Sequence, residues 1–136
     1  MTVHVAAAVL FDKKRFLICQ RPVGKARALL WEFPGGKLEV GETLEQCVQR
    51  ECREELGISI QVDGRLMDIE HAYPDLTVKL TVFLAHIQSG TPQLLEHNAC
   101  AWIACDQIDD YTFCPADEPI LQRLKNDQPS LPNCVR

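Results

Sequence analysis

The sequence has no apolar run approaching the ~20 residues that a membrane-spanning helix needs. It has no cationic excess either: 14 Lys and Arg stand against 19 Asp and Glu, for a formal net charge of −5. That balance argues against gripping nucleic acid through a broad basic surface. A small anionic substrate is still allowed, because a few cations or a metal ion can reverse the field inside a cleft. None of the seven cysteines (Cys19, Cys47, Cys52, Cys100, Cys105, Cys114 and Cys134) is spaced CxxC from another, and their number is odd. Neither a zinc cluster nor a disulfide framework is expected; the thiols read as packed side chains in a reducing compartment. Repeats, linkers and low-complexity stretches are absent. Met1 to Phe11 alternate without the charged start and cleavage pattern of a secretory leader, so a cytoplasmic location is expected. What remains is 136 residues, 46% of them hydrophobic, enough for one domain with a substantial core. The expectation is a single domain over 1–126 and a flexible polar tail over 127–136. A monomer is expected, with a dimer left open.

Val3 to Phe11 and Phe16 to Cys19 are expected to form a hairpin around Asp12-Lys13-Lys14. Pro22 ends its second strand. Val23 to Leu30 reads as a loop, with Lys25 and Arg27 solvated. Trp31 to Gly36 is an aromatic strand end running into a double-glycine turn, where something can approach the main chain closely. Glu42 to Gly57 is the strongest helix, with Thr43 and Gln46 placed for a capping box and Gly57 as its stop. Ile58 to Val62 turns apolar. Leu66 to Glu70 and Val78 to Ile87 are expected strands about a bend at Tyr73-Pro74-Asp75. Ala99 to Ala104 is a short strand, and Glu118 to Lys125 a second helix. The fold class is α+β, with helices packed on a mixed sheet.

The chemistry is concentrated between Gly36 and Ile58. On a wheel of about 100° per residue, Leu44, Cys47, Val48, Cys52 and Leu56 make the buried stripe. Gln46, Gln49, Arg50 and Arg53 make the wet face. Glu51, Glu54 and Glu55, at i, i+3 and i+4, overlap the flank that points at the protein body. Like charges so placed repel, and burial adds to the cost. A divalent cation among them resolves the conflict; the alternative is a set of surface carboxylates paired with Arg50 and Arg53. Magnesium is the expected ion, with manganese as its alternative, since hard ions take oxygen ligands in phosphate chemistry.

The stretch also carries a motif. Gly36, Glu42 and the run Arg50-Glu51-Cys52-Arg53-Glu54-Glu55-Leu56-Gly57-Ile58 resemble the Nudix box, GX5EX7REUXEEXGU, with U a bulky aliphatic residue. Its one departure is Cys52 at the first U position, on the buried stripe, where a small apolar group still packs. Trp31-Glu32-Phe33-Pro34-Gly35-Gly36-Lys37 and Pro115-Ala116-Asp117-Glu118-Pro119 resemble the MutT branch of that family. The resemblance implies a Nudix fold, a mixed sheet sandwiched between helices, and hydrolysis of nucleoside triphosphates to the monophosphate and pyrophosphate. It implies 8-oxo-dGTP as the leading substrate. Cytosine nucleotides, an ADP-ribose-type substrate and a non-catalytic nucleotide-binding module are the alternatives.

By the same resemblance, Glu51, Glu54, Glu55, the Gly35 carbonyl and Glu96 are candidate metal ligands. Glu54 and Glu96 are the candidate bases, and Arg50 orients a glutamate. Glu42 is structural near the helix start. Lys37 is a phosphate-side cation. Arg21 lies by the base. From their residue types, Phe33, Val3, Val5, Val78 and Leu80 are candidate pocket walls but suit plain core better, and Tyr73 is either a stacking partner for a base or a half-buried loop residue. Asp117 stands where this branch reads the base. An ionised aspartate only accepts hydrogen bonds, which suits the N4 amino group of cytosine; a protonated one can donate to the O6 of 8-oxoguanine. Asp117 also suits capping of the helix that follows.

Overall fold

The structure is a computed structural model that describes residues 1–126. The tail expected at 127–136 lies outside the described residues. Seven strands and two α-helices are ordered β1 (Thr2–Asp12), β2 (Arg15–Gln20), β3 (Trp31–Glu32), β4 (Gly35–Lys37), α1 (Leu44–Leu56), β5 (Ser59–Ala72), β6 (Thr77–Ser89), β7 (Ala99–Ile103) and α2 (Glu118–Asn126). Short 3-10 turns at Cys105–Asp110 and Pro115–Asp117 lead into α2.

The centre is β1, whose residues 6–10 are all buried. Such an unbroken apolar run suits a strand covered on both faces. It pairs parallel with β6 from Thr2↔Thr77 to Leu10↔Ala85. Its hairpin with β2 holds only Phe11↔Phe16 and Asp12↔Arg15. Beyond those pairs the strands part, and β4 takes over the edge of β1 at Val5 to Ala7. Meanwhile β2 pairs with β3 and β7. The cleft described below opens beside this parting of the strands.

Parity along β1 sorts the core into two layers. Ala6, Ala8 and Leu10 meet Cys47, Val48, Cys52 and Leu56 of α1. Ala7, Val9 and Phe11 meet Ile120, Leu121 and Leu124 of α2. The expected mixed sheet between helices is therefore observed, and Cys52, fully buried, does the packing job of an aliphatic residue.

Three boundaries differ from the sequence reading. The stretches at 58–62 and 66–70 belong to one strand, β5, whose register slips between Val62 and Gly64 and between Arg65 and Met67. Such bulges interrupt the period-two pattern, so one strand reads as two pieces. The aromatic strand end is two strands, because the chain crosses between sheet halves at Phe33 and Pro34. The first helix starts at Leu44, two residues later than read, because Thr43 is its cap. The Thr43 hydroxyl accepts from the Gln46 N–H at 3.1 Å, and the Gln46 side chain accepts from the Thr43 N–H at 2.9 Å. At the other end Gly57, at φ 67°, donates its N–H to the Arg53 carbonyl at 3.0 Å. Thr43→Ala is expected to cost about 1 kcal/mol, read in a thermal melt as a Tm lower by roughly 4 °C.

Candidate active site

One end of α1, the β3–β4 crossing and the β7 approach enclose a cleft of about 390 Å³. Behind its polar end, outside the lining itself, stands Arg50. The guanidinium reaches Glu42 Oε2 through Nε at 2.5 Å, Glu51 Oε1 and Glu54 Oε1 through Nη1 at 2.6 and 2.9 Å, and the Lys37 carbonyl through Nη2 at 3.0 Å. Hydrogen bonding to Glu42 above all pushes its pKa further up, so its charge is permanent. Arg50 thus ties the loop after β4 to the helix and fixes two carboxylates in place. Glu42 lies outside the helix: its carboxylate accepts from Arg50 and from the Glu39 N–H, the latter at 2.9 Å. It clamps that loop from the position just before the helix cap.

Glu51, Glu55, Glu96, Gly35, Gly36 and Lys37 all line the cleft. Glu54 does not; its side chain is 51% exposed on the solvent flank of α1, held by Arg50. Glu55 is only 9% exposed, and its Oε1 accepts from the Gly35 N–H at 3.2 Å. Burial first, then the charges of Glu51, Glu32 and Glu96, push its pKa up to about 9. Gly36 stands against Glu51 so closely that a Cβ there would overlap the carboxylate. The donor set fits a hard divalent cation, since it consists of carboxylate oxygens lining one end of the cleft. Among the described residues no three such side chains already stand close enough together to chelate an ion, because Arg50 Nη1 lies between Glu51 and Glu54.

The other end of the cleft is apolar with acidic points. Val3, Val5, Val78 and Leu80, which the sequence favours as plain core, line the cleft from β1 and β6. Phe33 is buried and stacked on Phe113 with centroids 6.0 Å apart. Tyr73 lines it as well, its hydroxyl accepting from the Ala116 N–H at 2.9 Å. Asp117 lines the cleft at 5% exposure. The Phe33 N–H donates to its carboxylate, while Oδ2 has no partner among the described residues. Burial, then the charge of Glu32, pushes the Asp117 pKa well above the ordinary carboxylate range. The helix α2 is entered through the Pro115–Asp117 turn, with Asp117 immediately before its first residue, Glu118.

Arg21 also lines the cleft, but its guanidinium is engaged with Glu32 Oε1 at 2.9 Å and with the Ala26 carbonyl at 2.8 Å. Lys25 and Arg27, read from sequence as solvated, stand on the cleft wall. Arg27 draws its loop there: its guanidinium lies 4.1 Å from the Tyr73 ring centroid and 3.2 Å from Asp75 Oδ1. No local pattern signals a contact across 48 positions of chain. Sequence reasoning missed Glu32 and His97, which line the cleft and bond each other, Nε2 to Oε2, at 3.1 Å. The only signals were their places beside Phe33 and Glu96.

A nucleotide-sized cleft with helix carboxylates at one end and an aromatic, acidic recess at the other defines a hydrolase of phosphoric anhydrides. The chain belongs to the NUDIX domain family, whose sequence pattern matches residues 5–123. It is 34% identical over 120 residues to the CTP pyrophosphohydrolase of Escherichia coli (strain K12), covering 88% of this chain and 89% of that one. It is also 34% identical over 114 residues to the 8-oxo-dGTP diphosphatase of the same organism, covering 84% and 88%. Among solved structures, a MutT NUDIX hydrolase from Burkholderia pseudomallei superposes with a TM-score of 0.83 at 28% identity, covering 91% of this chain and 98% of that one. The solution structure of the E. coli ORF135 protein gives 0.79 at 32% identity, covering 96% and 95%. Nudix hydrolases generally use a divalent metal. Among the described residues no helix is long and apolar enough to cross a membrane.

Proposed function

We propose that residues 1–126 act as one domain that hydrolyses (deoxy)nucleoside triphosphates to the monophosphate and pyrophosphate with Mg²⁺, Mn²⁺ being a substitute, and that 8-oxo-dGTP is its substrate. The setting is the cytoplasm, the ligand a small nucleotide, and the working unit a monomer. Glu51, Glu54, Glu55 and Glu96, with the Gly35 carbonyl, would hold the ion. Bound there, it offsets triphosphate charge and makes the attacking water more acidic. Lys37 meets phosphate oxygens at the mouth of the cleft. Arg50 positions Glu51 and Glu54 and touches no substrate. Glu54 or Glu96 takes the proton from the attacking water; of the two, Glu96 lines the cleft. Phe33 forms the wall of the base recess, and Arg21 acts there through Glu32.

The observation that carries the choice of base is the burial of Asp117 with one oxygen free. Its raised pKa keeps the carboxyl neutral at pH values where an ordinary aspartate is charged. A neutral carboxyl donates through its O–H, which suits the O6 acceptor of 8-oxoguanine. Ionised, it accepts only, which suits the N4 amino group of cytosine. The second reading, a cytosine nucleotide, is favoured by the 34% identity to a CTP pyrophosphohydrolase.

The test is kcat/KM for 8-oxo-dGTP, dGTP, dCTP, CTP and ADP-ribose across pH. The groups that bear on Asp117 are Glu32, Arg21, Glu118, Cys114 and Tyr73. Preference for 8-oxo-dGTP over dCTP is expected to fall as pH rises through the Asp117 pKa, because the donor is lost. Asp117→Asn, which keeps a donor at every pH, is expected to remove that slope. A dCTP preference at every pH would move the protein to the second reading.

The same group makes a stability prediction. A carboxyl whose pKa is raised by folding stabilises fully below its unfolded value, and that contribution is lost as pH rises toward the folded value. Asp117→Asn is therefore expected to melt above the wild type at neutral pH. The gap should close as pH falls below the ordinary aspartate range, near pH 4.

A further inference from the structure

His97 is a buried histidine in a wall position that an apolar side chain would fill at less cost. It is 7% exposed, its Nδ1 has no partner among the described residues, and its Nε2 lies 3.1 Å from Glu32 Oε2. A carboxylate only accepts, so Nε2 carries the proton of that bond. Leaving the other ring nitrogen buried and unpaired carries the desolvation cost of an unsatisfied polar group, so packing alone does not explain the choice of histidine. The segment that carries it is fastened on both sides. The Leu95 N–H reaches the Glu55 carbonyl at 3.3 Å, and Asn98 bonds Gln20 twice, at 3.0 Å through its N–H and 2.7 Å through its side chain. The His97 ring is thus held where it can reach β3 from the loop that also bears Glu96.

Glu32 is the other half of the arrangement. Its two oxygens are taken from opposite sides, Oε1 by Arg21 Nη1 at 2.9 Å and Oε2 by His97. Its charge acts on Glu55 at one end of the cleft and on Asp117 at the other. With two fixed donors, the glutamate has one place to be.

We infer that His97 is a positioning residue for base selection: with Arg21 it pins the Glu32 carboxylate between the two ends of the cleft, and so sets the charge environment in which Asp117 reads the base. This rests on the nucleotide reading of the cleft. A pinned negative charge near Asp117 opposes its ionisation and keeps its O–H available as a donor. Freed from His97, Glu32 is held by Arg21 alone and loses its single fixed place, so Asp117 ionises more readily and the recess turns from a donor toward an acceptor.

The test is a double-mutant cycle read as the selectivity ratio, kcat/KM for 8-oxo-dGTP over that for dCTP, at one pH near 7. His97→Ala is expected to lower the ratio by about tenfold, within the range of couplings measured between groups of one hydrogen-bond network. Glu32→Gln should lower it similarly. The double variant should fall no further than either single one, because His97 acts only through Glu32. His97→Gln, which restores an N–H near the position of Nε2, should recover most of the ratio; His97→Asn, with a shorter reach, should not. A fall in both kcat/KM values with an unchanged ratio would make His97 merely structural and overturn the inference. Additive losses in the cycle would overturn it as well. Should His97→Ala fail to fold, the contrast between His97→Gln and His97→Asn decides the matter by the same ratio. Absence of turnover by the wild type on every nucleotide would instead bring down the reading of the cleft, and the inference with it.

Discussion

Glu51→Gln is expected to lower kcat by roughly 10²–10³-fold, the scale lost when one group that offsets developing charge is removed from a reaction centre. The amide retains an oxygen that can accept from Arg50 Nη1, and the bonds of Arg50 to Glu42 and the Lys37 carbonyl, which hold the loop after β4 to α1, are untouched. What is lost is one negative charge at the polar end of the cleft. KM should change far less than kcat, because the base recess is untouched. Circular dichroism and Tm should stay close to wild type. A variant retaining most of its kcat would show that the reaction centre lies elsewhere.

Gly35→Ala and Gly36→Ala are expected to fail in opposite ways, although the residues are neighbours. A Cβ on Gly35 would run into backbone, the carbonyl of Ala6 and the Cα of Ala7. Neither can move without breaking the β1–β4 pairing at Ala7↔Gly35. Overpacking of that kind costs about 1–3 kcal/mol, and Gly35→Ala should appear as a lower Tm. A Cβ on Gly36 would overlap the carboxylate of Glu51 instead. That is the mobile end of a side chain, so the fold accommodates it by turning Glu51 away. Gly36→Ala should keep its melting behaviour and lose activity by about 10²-fold, since small misplacements at a reacting centre cost that much. Two variants with the same Tm and the same activity would contradict this division of labour.

The polar end of the site was legible because its residues sit close together in the chain. Glu51, Glu55 and Arg50 share one helix, and Gly36 precedes it by eight positions. Helical spacing alone puts them on one flank, and the capping box marks where the helix starts. Within that flank the three carboxylates differ in exposure: Glu54 and Glu55 stand about 100° apart on the wheel, and Glu54 is on the more exposed side, held by Arg50.

The base end was legible only through resemblance. Arg21, Glu32, Tyr73, His97 and Asp117 come from five separate stretches, and nothing in their local sequence announces that they meet. Arg27 shows the limit most plainly. As part of a Gly- and Lys-bearing loop it reads as solvated, yet its contacts with Tyr73 and Asp75 put it on the cleft wall. The strands had a similar limit. The buried run of β1 was plain, whereas β5 was split in the reading by register shifts that the alternation of side chains does not reveal.

The central claim is that this cleft cleaves a nucleoside triphosphate to leave pyrophosphate. The direct measurement is product identity from the wild-type chain on 8-oxo-dGTP with Mg²⁺, by anion-exchange chromatography with ³¹P detection. Monophosphate and pyrophosphate in equal amounts are expected, with both lost together in Glu51→Gln. Diphosphate with orthophosphate, or product formation unchanged by Glu51→Gln, would contradict the account.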